Sequence, residues 1–471
     1  MSSRFPRRLI LAFPLALLAG CASVGPEHVV PTVAVGQGWL TPADSRADTV
    51  ALARWWQTLG DPELEGLVEL ALRRNLDLRQ AEQNLEASRA MLSRAEALDS
   101  PTLKASGSVQ RSRTSLNGPE YNPQRAPTQT VSDIGLDASW EIDLFGSLRR
   151  QRESATASLQ LSEADAQGLR LSIVAETART YLAMRGAQRE LAARQASVAT
   201  LTRLFELAQR RQQAGDLPSM EVERTHARLD QARAALPAIE ARRQAAAIAL
   251  GLLTGDLPES RIALTAAPGS EIALGRVPVG QRAEILRRRP DVIAAERKLA
   301  AATADTGTAT AELFPKLTLS ASAGFRALGG KDLFSDNSQR GALGPLIAWR
   351  IFDGGRVRAE IRAAEARQHA AAIGYEKAVL TALSDAEKAL DQYAHTLQAL
   401  AAQEQALGST TRLTDILRQR HALGDVSLTE LLDAERERSD QQATLAQLKT
   451  SAGSDLVALY KALGGGWDAP H

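Results

Sequence analysis

The stretch from Asp133 to Asp143, DIGLDASWEID, decides the fold. Ile134, Leu136, Ala138, Trp140 and Ile142 alternate with Asp133, Gly135, Asp137, Ser139, Glu141 and Asp143. A period of two places the apolar set on one face of a β-strand and the polar set on the other. Upstream, Leu103, Ala105, Gly107 and Val109 interleave with Lys104, Ser106, Ser108 and Gln110 in the same way. A half-buried sheet in water gives this pattern too. Length separates the readings: runs of about 10 to 13 residues suffice to cross a bilayer when tilted.

Both runs recur. LRRNLDLRQAEQNL from Leu72 matches LRRRPDVIAAERKL from Leu286, and Pro101 matches Pro315. Trp140 pairs with Trp349, Gly215 with Gly424 and Gly255 with Gly464. A unit of roughly 200 residues is therefore duplicated. In the second copy Leu317, Leu319, Ala321, Ala323 and Phe325 alternate with Thr318, Ser320, Ser322 and Arg326, and a less regular strand follows from about 341 to 353. The expected organisation is a signal segment 1–20, an N-terminal segment 21–61, a first repeat 62–279, a second repeat 280–464 and a tail 465–471. Each repeat opens with a helix (about 62–98 and 280–313), continues through two strands (about 101–145 and 315–353) and ends in a long helical hairpin (about 147–250 and 356–463). A further segment at about 253–279 closes the first repeat.

The hairpins begin with proline-free stretches, about Ser147 to Gln213 and Arg356 to Ala422. At 1.5 Å per residue each is a rod of about 100 Å, longer than a compact domain holds. Pro237 predicts a kink in the first returning helix; Ala446 stands at the matching place in the second. The fold class is thus mostly α with a small β part. Four strands cannot close a membrane barrel alone, and an open edge in lipid leaves backbone groups unsatisfied at several kcal/mol each. Eight strands from a dimer would fill their interior with side chains, whereas twelve from a trimer leave a lumen. The polar strand faces suit water, so a homotrimeric pore is expected, prolonged by the helices as a tube.

The ends give an address. Arg4, Arg7 and Arg8 precede an apolar run from Leu9 to Ala19, the layout of a secretory signal and too short to span. Cys21 is the only cysteine, and LAGC before Ala22 resembles a bacterial lipobox, implying a covalent lipid on Cys21 and sorting to the outer membrane. No disulfide is then available to the mature chain. With 56 Lys+Arg against 55 Asp+Glu, no basic face implies nucleic acid. The six histidines are scattered without metal spacing, and there is neither HExxH nor a phosphate loop, so no metal, no other cofactor and no catalytic residue is proposed.

VGPEHVVP at 24–31, RWWQTLGDPELEGLVELALRRNLDLRQAE at 54–82, the run from Arg287 to Ser322, WRIFDGGRVRAE at 349–360 and LYKALGGGW at 459–467 together resemble the outer-membrane factor family of TolC-like efflux channels. The likeness is to its lipoprotein branch serving resistance-nodulation-division pumps. His28 and Leu59 depart from that pattern. The resemblance implies a trimer with a 12-stranded outer-membrane barrel, a 12-helix periplasmic tunnel, an equatorial region built from the terminal segments and the segment at about 253–279, and a passive conduit opened by a periplasmic adaptor and an inner-membrane pump. A type I secretion duct and a purely structural periplasm-spanning lipoprotein are the rivals.

Two sets of site residues follow. The turns at Gly215, Asp216 and Ser219 and at Gly424, Asp425 and Ser427 end the long helices, where the resemblance implies tip-to-tip adaptor contact. Glu430 and Asp433 fall on one face of the second returning helix, opposite Leu428, Leu431 and Leu432. They match positions where TolC-like channels carry aperture aspartates. The first copy has Glu221 and Arg224 there, so only the second hairpin bears paired acids. By three-fold symmetry they would form a ring of six carboxylates at a periplasmic gate, locked by arginines such as Arg418 or Arg420.

Overall fold

The computed structural model describes residues 23–36, 38–41, 52–119, 121–265, 271–275 and 277–467. The expected signal segment and Cys21 lie outside them. In the first repeat the order is α1 (Pro62–Arg74), α2 (Leu76–Ala97), β1 (Thr102–Arg113), β2 (Thr128–Ile142), α3 (Ser147–Gln213), α4 (Ser219–Ala234) and α5 (Leu236–Leu253). The second repeats it as α6 (Arg282–Arg288), α7 (Pro290–Ala311), β3 (Lys316–Leu328), β4 (Gln339–Ala348), α8 (Arg356–Leu423) and α9 (Leu428–Ala462). The chain is mostly helical with one small sheet. Among the described residues no helix is long and apolar enough to cross a membrane.

Three boundaries differ from the sequence expectation. The opening helix of each repeat is two helices. In the first, Asn75 leaves the helical region (ψ 132°) and its side chain accepts from the amides of Asp77 and Leu78 at 3.0 and 3.1 Å, capping α2. In the second, Arg289 precedes Pro290, whose ring disfavours the helical conformation, and ψ is 117°. Strand β4 ends at Ala348 rather than near 353. The rods α3 and α8 are unbroken over 67 and 68 residues. The first returning helix is interrupted at Ala235, with Pro237 in the opening turn of α5, whereas α9 runs through Ala446 without a break.

The chain divides into two compact units that cut across the sequence repeats. The first takes the described part of Met1–Thr32 together with Leu85–Ser162 and Ala294–Tyr375. Its sheet is antiparallel throughout, in the order β1-β2-β3-β4. The repeats meet at β2 and β3, where Asp133 stands opposite Arg326 and Trp140 opposite Leu319. Below the strands Phe145 stacks on Phe314 at 4.7 Å. The N-terminal segment is fastened here: Val24 N–H donates to Phe145 O at 3.1 Å, and Arg150 Nε donates to Val24 O at 3.2 Å. Gly25 has φ +91°, and a Cβ on it would lie 2.4 Å from Gly307 Cα, so only glycine fits. His28 Nε2 contacts Glu296 Oε1 at 2.5 Å.

The second unit takes Val33–Asn84, Glu163–Ile293 and Glu376–His471 as far as described. Its core packs Trp55, Leu64, Val68, Val174, Tyr181, Leu250, Leu456, Leu459 and Leu463. Trp55 stacks on Tyr460 at 5.2 Å. Some polar groups inside are linked in chains. Asp61 caps α1 and accepts from the Tyr181 hydroxyl at 2.7 Å, and Arg185 Nε donates back to that hydroxyl at 2.9 Å. Burial, aided by the Asp61 carboxylate, raises the Tyr181 pKa. Tyr393 donates to Gly275 O at 2.8 Å, and burial first, then Tyr460, pushes its pKa up to about 12.

Candidate functional site

The two hairpin turns are built alike. Gly215 and Gly424 carry φ of +83° and +87°, which a residue with a Cβ rarely adopts. Asp216 N–H donates to Arg211 O and Asp425 N–H to Arg420 O, both at about 2.9–3.0 Å, while each glycine amide bonds three residues back. These paired bonds form a Schellman motif, which satisfies carbonyls that a helix end leaves open. The turns differ in how the next helix starts. Ser427 caps α9, its hydroxyl accepting from Glu430 N at 3.2 Å. Pro218 occupies the equivalent place before α4 and offers no side-chain bond, so Ser219 is the first helical residue rather than a cap. Gly215, Asp216, Ser219, Gly424, Asp425 and Ser427 are all exposed.

On α9, Leu428, Leu431 and Leu432 are buried, whereas Glu430, Asp433 and Glu437 are exposed. The Asp433 carboxylate meets Arg228 of α4 at 2.6 Å. Glu430 makes no ion pair among the described residues. A second clasp joins the same two helices: Thr429 donates to Glu221 at 2.9 Å, and Arg224 donates to Glu221 at 3.1 Å and to Thr429 at 3.2 Å. Leu229 and Leu432 pack beneath both clasps with Leu201 and Val222.

Neither Arg418 nor Arg420, the arginines expected beside these acids, pairs with Glu430 or Asp433 among the described residues. Arg418 engages Glu435 at 2.5 Å and Asp415 at 2.8 Å, and Glu435, only 5% exposed, is held also by Arg438. Facing α9 inside the hairpin, Arg418 reaches the buried acid and not the outward Asp433. Sequence reasoning missed Arg228 and Glu435. Their pairs join helices about 200 and 17 positions apart, and only the buried acid within a leucine-rich stretch gave a local signal.

The sheet presents the second functional surface. On one face Asp133 accepts from Arg326 at 2.7 Å and Arg340 at 2.6 Å, bridging three strands, and Ser106 donates to Asp137 at 2.8 Å. The other face exposes Leu103, Val109, Ile134, Leu136, Leu343 and Ile347. Trp140 and Trp349 stand at one border of this apolar face. Their indole N–H groups donate to Asp99 O and Leu313 O at 2.9 and 3.0 Å, equivalent contacts in the two repeats. Such a face is the surface a barrel shows to lipid, with amphipathic aromatic rings at the border. Among the described residues no cluster of His, Cys, Asp and Glu has metal-binding geometry.

Comparison with known proteins gives concordant results. A family model described as outer membrane efflux protein matches residues 67–256 and 282–465. The chain is 33% identical over 473 residues to the pyoverdine export outer membrane protein OpmQ of Pseudomonas putida, covering 98% of both chains. It is 29% identical to the probable outer membrane lipoprotein SilC of Salmonella typhimurium, covering 98% of this chain and 99% of that one. Among solved structures, the outer-membrane channel OprN is 33% identical with a TM-score of 0.86, over 94% of this chain and 99% of that chain.

Proposed function

This chain belongs to the outer membrane efflux protein family, and from that premise we propose that three copies form the outer-membrane exit channel of a tripartite efflux system. The observation that carries the reading is the sheet. Of the four antiparallel strands, β1, β2 and β3 alternate between a polar face and an apolar face, and among the described residues β1 and β4 have no partner at the two edges. In lipid those edges must pair, and three copies joined β4 to β1 supply twelve strands around a water-filled lumen. The conduit is passive: the chain supplies the passage, and an inner-membrane pump with a periplasmic adaptor supplies the work.

The hairpin turns are the adaptor's contact points, because they end the helices that leave the strands. Glu430 and Asp433 form the periplasmic gate. In the closed state the Arg228–Asp433 pair and the Glu221–Thr429–Arg224 clasp hold the two hairpins of a protomer together, and adaptor docking replaces them. Six carboxylates at the throat favour cations. Cys21 carries the lipid, a supplementary anchor for a barrel already held by its strands.

Purified protein inserted into planar bilayers tests the conduit. Stepwise conductance is expected, and its absence from well-folded trimers contradicts the reading. In cells, radioactive fatty acid should label the wild type and not Cys21→Ser. Bulky residues at Asp216, Ser219, Asp425 and Ser427 should abolish export with trimers retained; unchanged export refutes docking at the turns.

A further inference from the structure

The apolar face of the sheet ends abruptly on β1. Leu103, Ala105, Gly107, Val109, Arg111 and Arg113 share one face by strand alternation. The last two project where lipid would lie. They stand opposite Thr130 and Thr128 of β2, so the polar border is continuous across both strands. Arg111 and Arg113 are exposed and make no ion pair or side-chain hydrogen bond among the described residues. By contrast, Arg326 and Arg340 on the opposite face share the Asp133 carboxylate.

Their level follows from the register. Trp140 marks the border next to the helices, and Thr130, opposite Arg111, lies ten residues away along β2. Ten residues at about 3.4 Å, tilted by about 40°, rise about 26 Å, close to the apolar band of a membrane barrel. Arg111 therefore reaches the rim remote from the helices, and Arg113 lies one step beyond it. Phe334, 70% exposed and packed edge-on against Phe325, stands on the β3–β4 connection at this end. With the helices in the periplasm, this rim faces the outer leaflet.

We propose that Arg111 and Arg113 form a binding site for the phosphorylated headgroup of an outer-leaflet glycolipid, three times per trimer. A guanidinium offers a planar fork of donors that matches phosphate oxygens, and at a membrane rim it is only partly solvated. Unpaired arginines above an apolar wall are complementary to a lipid with acyl chains below and phosphate above. The site rests on the outer-membrane channel reading, and it adds a lipid ligand to a barrel that would otherwise need only a hydrocarbon solvent.

The test uses the full-length trimer in detergent, titrated with bisphosphorylated lipid A, its phosphate-free form, or phosphatidylcholine. Bound lipid is counted by native mass spectrometry, and planar-bilayer conductance is measured in parallel. Wild type should bind lipid A selectively, and Arg111→Gln with Arg113→Gln should weaken it by at least about tenfold, with conductance unchanged. The pair Arg111→Lys and Arg113→Lys should retain part of the affinity. Binding by the glutamine variant within twofold of wild type, or equal wild-type binding of the phosphate-free form, overturns the site. Dissociation of the variant trimer overturns it too, since the arginines would then serve contacts between copies. Loss of wild-type conductance instead rejects the channel reading.

Discussion

Replacing Arg228 by glutamine should leave the gate chronically open. The Arg228–Asp433 contact is 2.6 Å, with the arginine side chain 22% exposed and the aspartate 60% exposed. A pair this wet contributes at most about 1 kcal/mol. Three such pairs released in concert amount to about 3 kcal/mol, or roughly a hundredfold in the closed-to-open ratio. The substitution also leaves three Asp433 carboxylates without their counter-ions, so cation preference should rise as the gate opens. The assay is open probability of purified trimers in planar bilayers at low ionic strength. Raising salt to about 1 M, where the screening length falls to about 3 Å, should reproduce part of the effect in wild type. The swap of Arg228→Asp with Asp433→Arg should restore closure. Wild-type open probability in intact Arg228→Gln trimers would refute the lock.

Further predictions follow from other contacts. Glu430→Gln should lower cation selectivity and trivalent-cation block without opening the channel, whereas adding Asp433→Asn should open it as well; both are read in the same bilayers. Gly25→Val combines a φ of +91° with a Cβ 2.4 Å from Gly307 Cα, and should cost at least about 2 kcal/mol, seen as a lower thermal midpoint. Tyr393 has a pKa raised to about 12 by burial, so its contribution is complete below the ordinary tyrosine pKa near 10 and fades as pH climbs toward 12. Tyr393→Phe should therefore show less alkaline loss of stability over pH 10–12, measured by denaturation at fixed temperature.

What the sequence revealed depended on whether the signal was local. Alternation from Leu103 to Val109 and from Asp133 to Asp143 wrote the strands directly, because period two has no other common cause over such lengths. The rods were legible from missing prolines, and the interruption at Ala235 from Pro237. Strand β4 was less clear because Gly341, Gly344 and Pro345 break its alternation. The break at Asn75 was hidden, since a single side chain capping two amides of α2 resembles any polar residue on a helix. Pro290 carried a signal for the break at Arg289 that the expected single helix over 280–313 ignored, since a proline disfavours the helical conformation of the residue before it. The acidic face with Glu430 and Asp433 came from helical spacing, but its partner did not: Arg228 lies about 200 residues earlier, and only packing of α4 on α9 brings it within reach.

Closure of the sheet requires three copies. Native mass spectrometry of the purified membrane protein in mild detergent measures this directly. A single dominant species of three mature chains, twelve strands in all, is expected. A stable dimer, whose eight strands would leave no lumen, or a folded and conducting monomer would contradict it.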